Sequence, residues 1–251
     1  MIELMQVEFE FLCTDHGHVY GIGGGELHGL LFAMLEQVSP RQAAAIHASV
    51  IKPFSVSPLL GSGKRQGGFF YLEEGKHYSF TVSGLDTEMS TLLIELAKQV
   101  RPEHQFRLGT ATGKWTKYNI VRQTDYFGIM AGKPAVKMSV IFRSPTSFRS
   151  QGIQKLFPQP SLVFWGLEER WNHFCPKYIS LPDPDDKIMV SRYKLRTIHV
   201  KFPTYRQTGF VGEVEYRFAQ TAFEANTLLR FAEFTGIGYK TSMGMGNIKI
   251  E

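Results

Sequence analysis

AFEANTLLRFAEFTGIGYKTSMGMGNIKIE, residues 222–251, reads as helix, loop and strand in that order. Ala225, Leu228, Leu229 and Ala232 fall at i, i+3, i+4 and i+7, the spacing of one buried helix face, and Thr235-Gly236 supplies a stop. Asn247 to Ile250 alternates polar and apolar, as a half-buried strand does. Between them lie two glycine pairs, Gly236-Ile237-Gly238 and Gly244-Met245-Gly246, joined by Tyr239, Lys240, Thr241, Ser242 and Met243. Glycine takes positive φ without penalty and lets the backbone come close to another molecule, so this loop can cradle phosphate. A bare hinge would not need the Tyr, Lys, Thr and Ser packed between the glycines. The loop follows its helix, whereas nucleotide phosphate loops precede theirs, and no GKS/T is present, so a nucleotide cofactor is not indicated. A surface loop adds little core, so alanine at Gly238 or Gly244 is expected to weaken ligand binding and leave the fold nearly as stable.

The charge of the chain is patterned. Its 251 residues carry 28 Lys and Arg against 23 Asp and Glu, a net +5, which points toward an anionic partner. Residues 1–60 hold six acids and two bases, residues 101–155 ten bases and two acids, and residues 187–206 six bases and no acid. Arg192, Lys194 and Arg196 share one parity of a strand period, while His199 and Lys201 take the other. A bulge or kink near Thr197 would be needed to bring all five to one face. Such a strand either lies against a polyanion or protects a sheet edge with its charges.

Cys13 and Cys175 sit in apolar settings with no zinc spacing, as core thiols of a reducing compartment do. No signal peptide and no apolar run of membrane-spanning length is present, so a cytoplasmic protein that does not enter the membrane is expected. The eight histidines form no HExxH, and no GxSxG elbow occurs. His16-Gly17-His18 is expected in a solvated turn, and Trp115, Trp165 and Trp171 as core or interface anchors rather than base-stacking platforms. Neither a metal nor a cofactor is implied.

Along the chain, Leu4–Cys13 reads as a strand and Leu27 to Val38 as a helix. Ser39-Pro40-Arg41-Gln42 starts a second helix with a capping box. Strands follow near 51–58, 68–72 and 77–85, then a helix over 86–100 and strands near 106–108 and 118–126. Gly128 to Pro134 is the expected boundary, between domains 1–130 and 131–251. Beyond it the order recurs, with a strand at 135–142, a helix at 161–174, strands near 188–202 and 210–218, and the closing helix, loop and strand. The fold class is therefore α+β, two tandem ferredoxin-like (RRM-like) domains with antiparallel sheets and a C-terminal glycine-rich loop. No sequence repeat accompanies the repeated order.

The run from Gly236 to Gly246 fits G-h-G-x5-G-h-G without a gap, and it resembles the C-terminal signature of the CRISPR-associated RNA-binding RAMP superfamily. Within that superfamily the chain is similar to the endoribonuclease that cuts CRISPR repeat transcripts into guide RNAs. The likeness continues through Lys52-Pro53-Phe54-Ser55-Val56-Ser57-Pro58-Leu59, Ser144-Pro145-Thr146-Ser147-Phe148-Arg149, Pro160 to Phe174 and Gly209-Phe210-Val211-Gly212. It implies a catalytic His at the end of the second short helix, here His47, and a Lys before the following strand, here Lys52. Some members use a Tyr on the first helix; the matching position holds Phe32, which cannot exchange a proton, and His28 lies one turn earlier on the same side. The candidate RNA contacts are Gly236, Gly238, Tyr239, Lys240, Thr241, Ser242, Gly244 and Gly246 of the glycine run, Arg192, Lys194 and Arg196 of the basic strand, and Arg149. The implied partner is CRISPR repeat RNA, with other effector subunits or a second copy as further candidates. The competing reading is a catalytically silent subunit that only holds guide RNA.

Overall fold

The computed structural model describes residues 2–102, 104–219 and 222–251. The chain divides into two compact units, one made of 1–123 with 200–207 and 242–244, the other of 124–199, 208–241 and 245–251.

In the first unit, β1 (Leu4–Cys13) and β2 (Gly17–Tyr20) precede α1 (Gly24–Val38) and α2 (Pro40–Ala48). Then come β3 (Phe54–Val56), β4 (Leu60–Gly61), β5 (Arg65–Gln66), β6 (Phe69–Leu72), β7 (His77–Gly84), α3 (Thr87–Lys98), β8 (Gln105–Leu108) and β9 (Ala111–Thr124). The main sheet runs β3-β7-β1-β9-β8. Taking β1, β3, β7 and β9 as the four strands of a βαββαβ unit, the spatial order is second, third, first, fourth, which is the ferredoxin-like arrangement. β1 pairs antiparallel with β7 from Met5 opposite Gly84 to Leu12 opposite His77. The alternation of β1 buries Val7, Phe9 and Phe11, and these pack with Phe80 and Trp115 beneath Leu27, Leu31 and Leu35 of α1. Each such side chain contributes about 1.5 to 3 kcal/mol on burial.

The second unit repeats the plan. It comprises α4 (Tyr126–Met130), β10 (Lys137–Thr146), β11 (Phe148–Ser150), β12 (Ile153–Lys155), α5 (Pro160–Phe174), α6 (Pro184–Lys187), β13 (Ile188–Lys201), β14 (Arg206–Phe218), α7 (Ala222–Thr235) and β15 (Ile248–Ile250). Its sheet runs β13-β14-β10-β15, again second, third, first, fourth. The core sets Trp171 of α5 edge-on to Phe231 of α7 and to Tyr126 of α4. The buried Asn226 side chain accepts from the Ala135 N–H at 2.7 Å and donates to the Ala135 carbonyl at 3.0 Å, which stitches α7 to the segment before β10.

Two local expectations, the capping box and the turn at His18, change. Ser39 is the N-cap of α2, but its side chain makes no capping bond, and Gln42 reaches instead to Glu88 at 2.9 Å. His18 lies in β2 and not in a turn, because Gly17 of that strand passes so close to Ala111 that a Cβ there would sit 2.5 Å from its backbone. β13 carries strand structure from Ile188 through Lys201, which leaves Arg192, Lys194 and Arg196 on one parity and His199 and Lys201 on the other. Trp115 and Trp171 are buried, but Trp165 is 50% exposed.

Candidate active site and nucleic-acid interface

The first cluster of candidates belongs to the first unit. α1 begins at three successive glycines because its first turn runs against the chain at Met243; a Cβ on Gly24 would lie 1.7 Å from the Met243 carbonyl oxygen. That approach places His28, one turn into α1, with Nδ1 3.0 Å from the Ser242 carbonyl oxygen. The His28 ring lies 4.9 Å from Phe32, and the Phe32 ring meets His47 edge-on at 5.2 Å. His28, Phe32 and His47 thus form a row, with Phe32 buried and the His47 side chain exposed on the last turn of α2.

Lys52 closes that last turn. Its Nζ donates to the carbonyl oxygens of Ile46 at 3.1 Å, His47 at 2.6 Å and Ser49 at 2.6 Å. An ammonium group has three protons, and three carbonyls meet them. The orphan carbonyls of a helix C-terminus carry its negative dipole end, so a cation there is favoured by about 0.3 to 1 kcal/mol. Partial burial nonetheless pushes the Lys52 ammonium below the usual lysine range. Lys52 thus fixes the backbone that carries His47.

The second cluster lies in the second unit around the glycine run. Gly236, Ile237, Met245 and Gly246 are buried, so the loop is not the loosely attached surface segment its composition suggests. Several of its backbone donors are spent inside the protein: Ile237 N–H on the Gly246 carbonyl, Gly246 N–H on Pro145 and Tyr239 N–H on Ser147. Lys240 takes φ +63°, a conformation that costs a residue with a Cβ roughly 1 kcal/mol. Its Nζ lies 5.1 Å from the Tyr239 ring centroid, and the exposed Arg149 guanidinium approaches the same ring at 5.6 Å. Ser242 and Gly244 belong to the first unit.

One residue that the sequence reading passed over holds this loop. Arg170 of α5 donates through Nη1 to the Thr235 carbonyl at 3.0 Å, Thr235 Oγ1 at 2.9 Å and Thr241 Oγ1 at 2.8 Å, and through Nη2 to the Gly238 carbonyl at 3.1 Å. Burial pushes its guanidinium down to about 10, which still leaves it charged at neutral pH. The available signal was a base beside the apolar stripe Val163, Phe164, Leu167, Trp171.

The third group sits on β13. Arg192 is paired with Glu213 at 3.2 Å, whereas Lys194 and Arg196 have no carboxylate partner among the described residues. Among the described residues no group of three His, Cys, Asp or Glu side chains could hold a metal ion, and no helix is long and apolar enough to cross a membrane.

A family model described as CRISPR-associated endoribonuclease Cas6 matches residues 140–248. A protein of that description from Streptococcus thermophilus is 31% identical over 121 residues, covering 45% of this chain and 50% of that protein. This chain therefore matches about half the length of that relative. A Cas6 endoribonuclease from Mycobacterium tuberculosis is 26% identical over 248 residues, covering 91% of this chain and 71% of that one. Among solved structures, a Cas6 product complex matches with TM-score 0.79 at 24% identity, covering 100% of both chains. A second Cas6 product complex, the Cas6 of Thermus thermophilus, matches with TM-score 0.81 at 23% identity, covering 99% of this chain and 100% of that one. At these identities the structural likeness speaks for the tandem ferredoxin-like fold. Sequence and fold thus point the same way: residues 140–248 match the Cas6 family model, and the whole chain is similar in sequence and fold to proteins described as Cas6.

Proposed function

We propose that the protein is an endoribonuclease that cuts CRISPR repeat transcripts into guide RNAs without a metal ion. The RNA 2′-hydroxyl attacks its own 3′ phosphate, the bond to the leaving 5′ oxygen breaks, and a 2′,3′-cyclic phosphate and a 5′-hydroxyl result. The observation that carries this reading is the exposed His47 ring, seated on Phe32 at 5.2 Å at the helix end that Lys52 fastens. His47 serves as the general acid or base, since imidazole exchanges protons near neutral pH. His28, on the other side of Phe32, is the candidate for the opposite proton transfer. Lys52 holds the turn and places a positive charge close to His47, where phosphorane charge would develop. The relatives described as Cas6 endoribonucleases, the Cas6 product complexes and a structural neighbour described as a RAMP protein binding different RNA substrates support the substrate class. Other effector subunits, a second copy of the chain and a cytoplasmic location are proposed on the sequence reading alone.

A silent RNA-holding subunit is the second reading. Phe32 in place of an acid-base Tyr and the full occupation of the Lys52 donors favour it. Incubating the protein with a repeat-containing transcript in EDTA separates the two. Cleavage to cyclic-phosphate ends supports the enzyme, binding without cleavage supports the silent subunit, and cleavage that appears only with added metal overturns the mechanism.

Charge on β13 gives an independent test. If Lys194 and Arg196 touch phosphates, neutralising either should make the slope of log affinity against log salt shallower by ~0.7 for single-stranded RNA. Arg192, already paired with Glu213, should change the slope less. A slope unmoved by the Lys194→Gln/Arg196→Gln pair would leave β13 a charged sheet edge.

A further inference from the structure

Within the second unit, α5, β11 and the glycine run from Gly236 to Tyr239 line an open cavity of about 490 Å³. That volume falls in the ~300 to 1,000 Å³ range of pockets that take small ligands. Its walls are chemically distinct. Trp165 supplies an indole that is 50% exposed and, among the described residues, has no ring partner. Tyr239 lies on the loop side with Arg149 beside it. Glu169, one turn after Trp165 on the same face of α5, is exposed; its charge acts on the neighbouring Arg170 guanidinium, but no hydrogen bond holds its carboxylate oxygens among the described residues.

Each feature restricts what can enter. An exposed indole on a helix face that carries none of the unit's core invites a flat π-system, and base stacking on aromatic side chains is the usual way unpaired RNA bases are held. The N-terminus of α5 is not available to phosphate, because Asp185 accepts from the Ser161 N–H at 2.9 Å and occupies it with its own negative charge. Of the two arginines lining the cavity, Arg170 spends its guanidinium on Thr235, Thr241 and Gly238, which leaves the exposed Arg149 to meet phosphate. An ionised carboxylate only accepts hydrogen bonds, and it offers two oxygens. Guanine presents two adjacent donors, N1–H and N2–H, on its Watson–Crick edge. Adenine and cytosine place a ring-nitrogen acceptor next to their amino group, where it would repel the carboxylate, and uracil offers one imino donor between two carbonyls.

We propose that this cavity is a guanine-reading pocket, with Trp165 and Tyr239 stacking an unpaired base, Glu169 accepting from its Watson–Crick edge and Arg149 meeting its phosphate. The proposal rests on the RNA-binding reading, and it makes Glu169 a specificity residue outside the His47 cluster. Arg170, which binds the loop carbonyls, is the positioning residue for the Tyr239 wall.

The test uses the full chain and repeat RNAs in which each unpaired guanine is replaced in turn by inosine, which lacks the N2 amino group. At one position inosine should weaken binding to the wild-type protein about five-fold or more, on the scale of a lost base-edge contact. The same replacement should cost nothing further in Glu169→Gln, and Trp165→Ala should weaken every RNA that carries that guanine. Inosine penalties equal in wild type and Glu169→Gln, or absent at every position, overturn the pocket. If the wild-type protein binds no repeat RNA, the functional reading itself fails. Titration with guanosine 5′-monophosphate then decides the pocket alone. Quenching of fluorescence stronger than with the other three nucleotides, and lost in Trp165→Phe, supports it; equal quenching by all four overturns it.

Discussion

Replacing His47 with alanine is expected to lower the single-turnover cleavage rate of a repeat-containing RNA by ~100-fold or more, the scale of a lost general acid or base. Affinity for the uncleaved RNA should change little. The structure makes this a clean experiment, because the His47 side chain is exposed and its described ring contact is the edge of Phe32, so its removal takes almost nothing from the core. Lys52→Ala is expected to slow cleavage as well, by a different route. It strips the donor that three carbonyls share, frees the last turn of α2 and lets the His47 backbone move. If Lys52 works through His47, the two substitutions must be non-additive, and adding Lys52→Ala to a protein that already lacks His47 should cost little more. Additive losses would give Lys52 a role of its own at the phosphate. A His47→Ala protein that cuts at the wild-type rate would remove His47 from the mechanism.

What could be read from the sequence was what depends on local periodicity. The buried stripe of α7, the alternation of β1 and the order of elements need no long-range information, and the four-strand order of each sheet follows from the βαββαβ plan once the strands are found. Side-chain destinations did not follow. Ser39 and Gln42 have the spacing of a capping box, but Glu88, 46 residues away from Gln42, offers a stronger partner to the amide. Arg170 meets acceptors 65 to 71 residues along the chain, so no window of sequence contains its role. Trp165 is a different case. It stands one position, about 100° of helix, off the stripe Phe164, Leu167, Trp171, and the helical wheel alone puts it on the outer face.

The glycine run carries the second large expectation, and its direction is opposite to the one its composition suggests. Gly246 has φ +69°, and a Cβ there would sit 2.0 Å from the Ile237 carbonyl oxygen, a backbone atom that no rotamer change can move. Gly75 supplies the control, with φ +75° and nothing within 4 Å of the same atom. Gly75→Ala should therefore bear only the backbone cost of roughly 1 kcal/mol. Gly246→Ala bears that cost plus overpacking of about 1 to 3 kcal/mol, and it threatens the bonds that tie Gly246 to Ile237 and Pro145. At ~2 to 4 °C per kcal/mol for a chain of this size, the thermal midpoint should fall by roughly 5 to 15 °C in Gly246→Ala and by under 5 °C in Gly75→Ala. Equal shifts would show that the loop yields without strain and is looser than its buried packing indicates. RNA affinity measured well below the unfolding transition then separates geometry from recognition. If Gly246 only shapes the chain, the folded variant binds repeat RNA within about two-fold of wild type, and a larger loss puts the Gly246 backbone against the RNA itself.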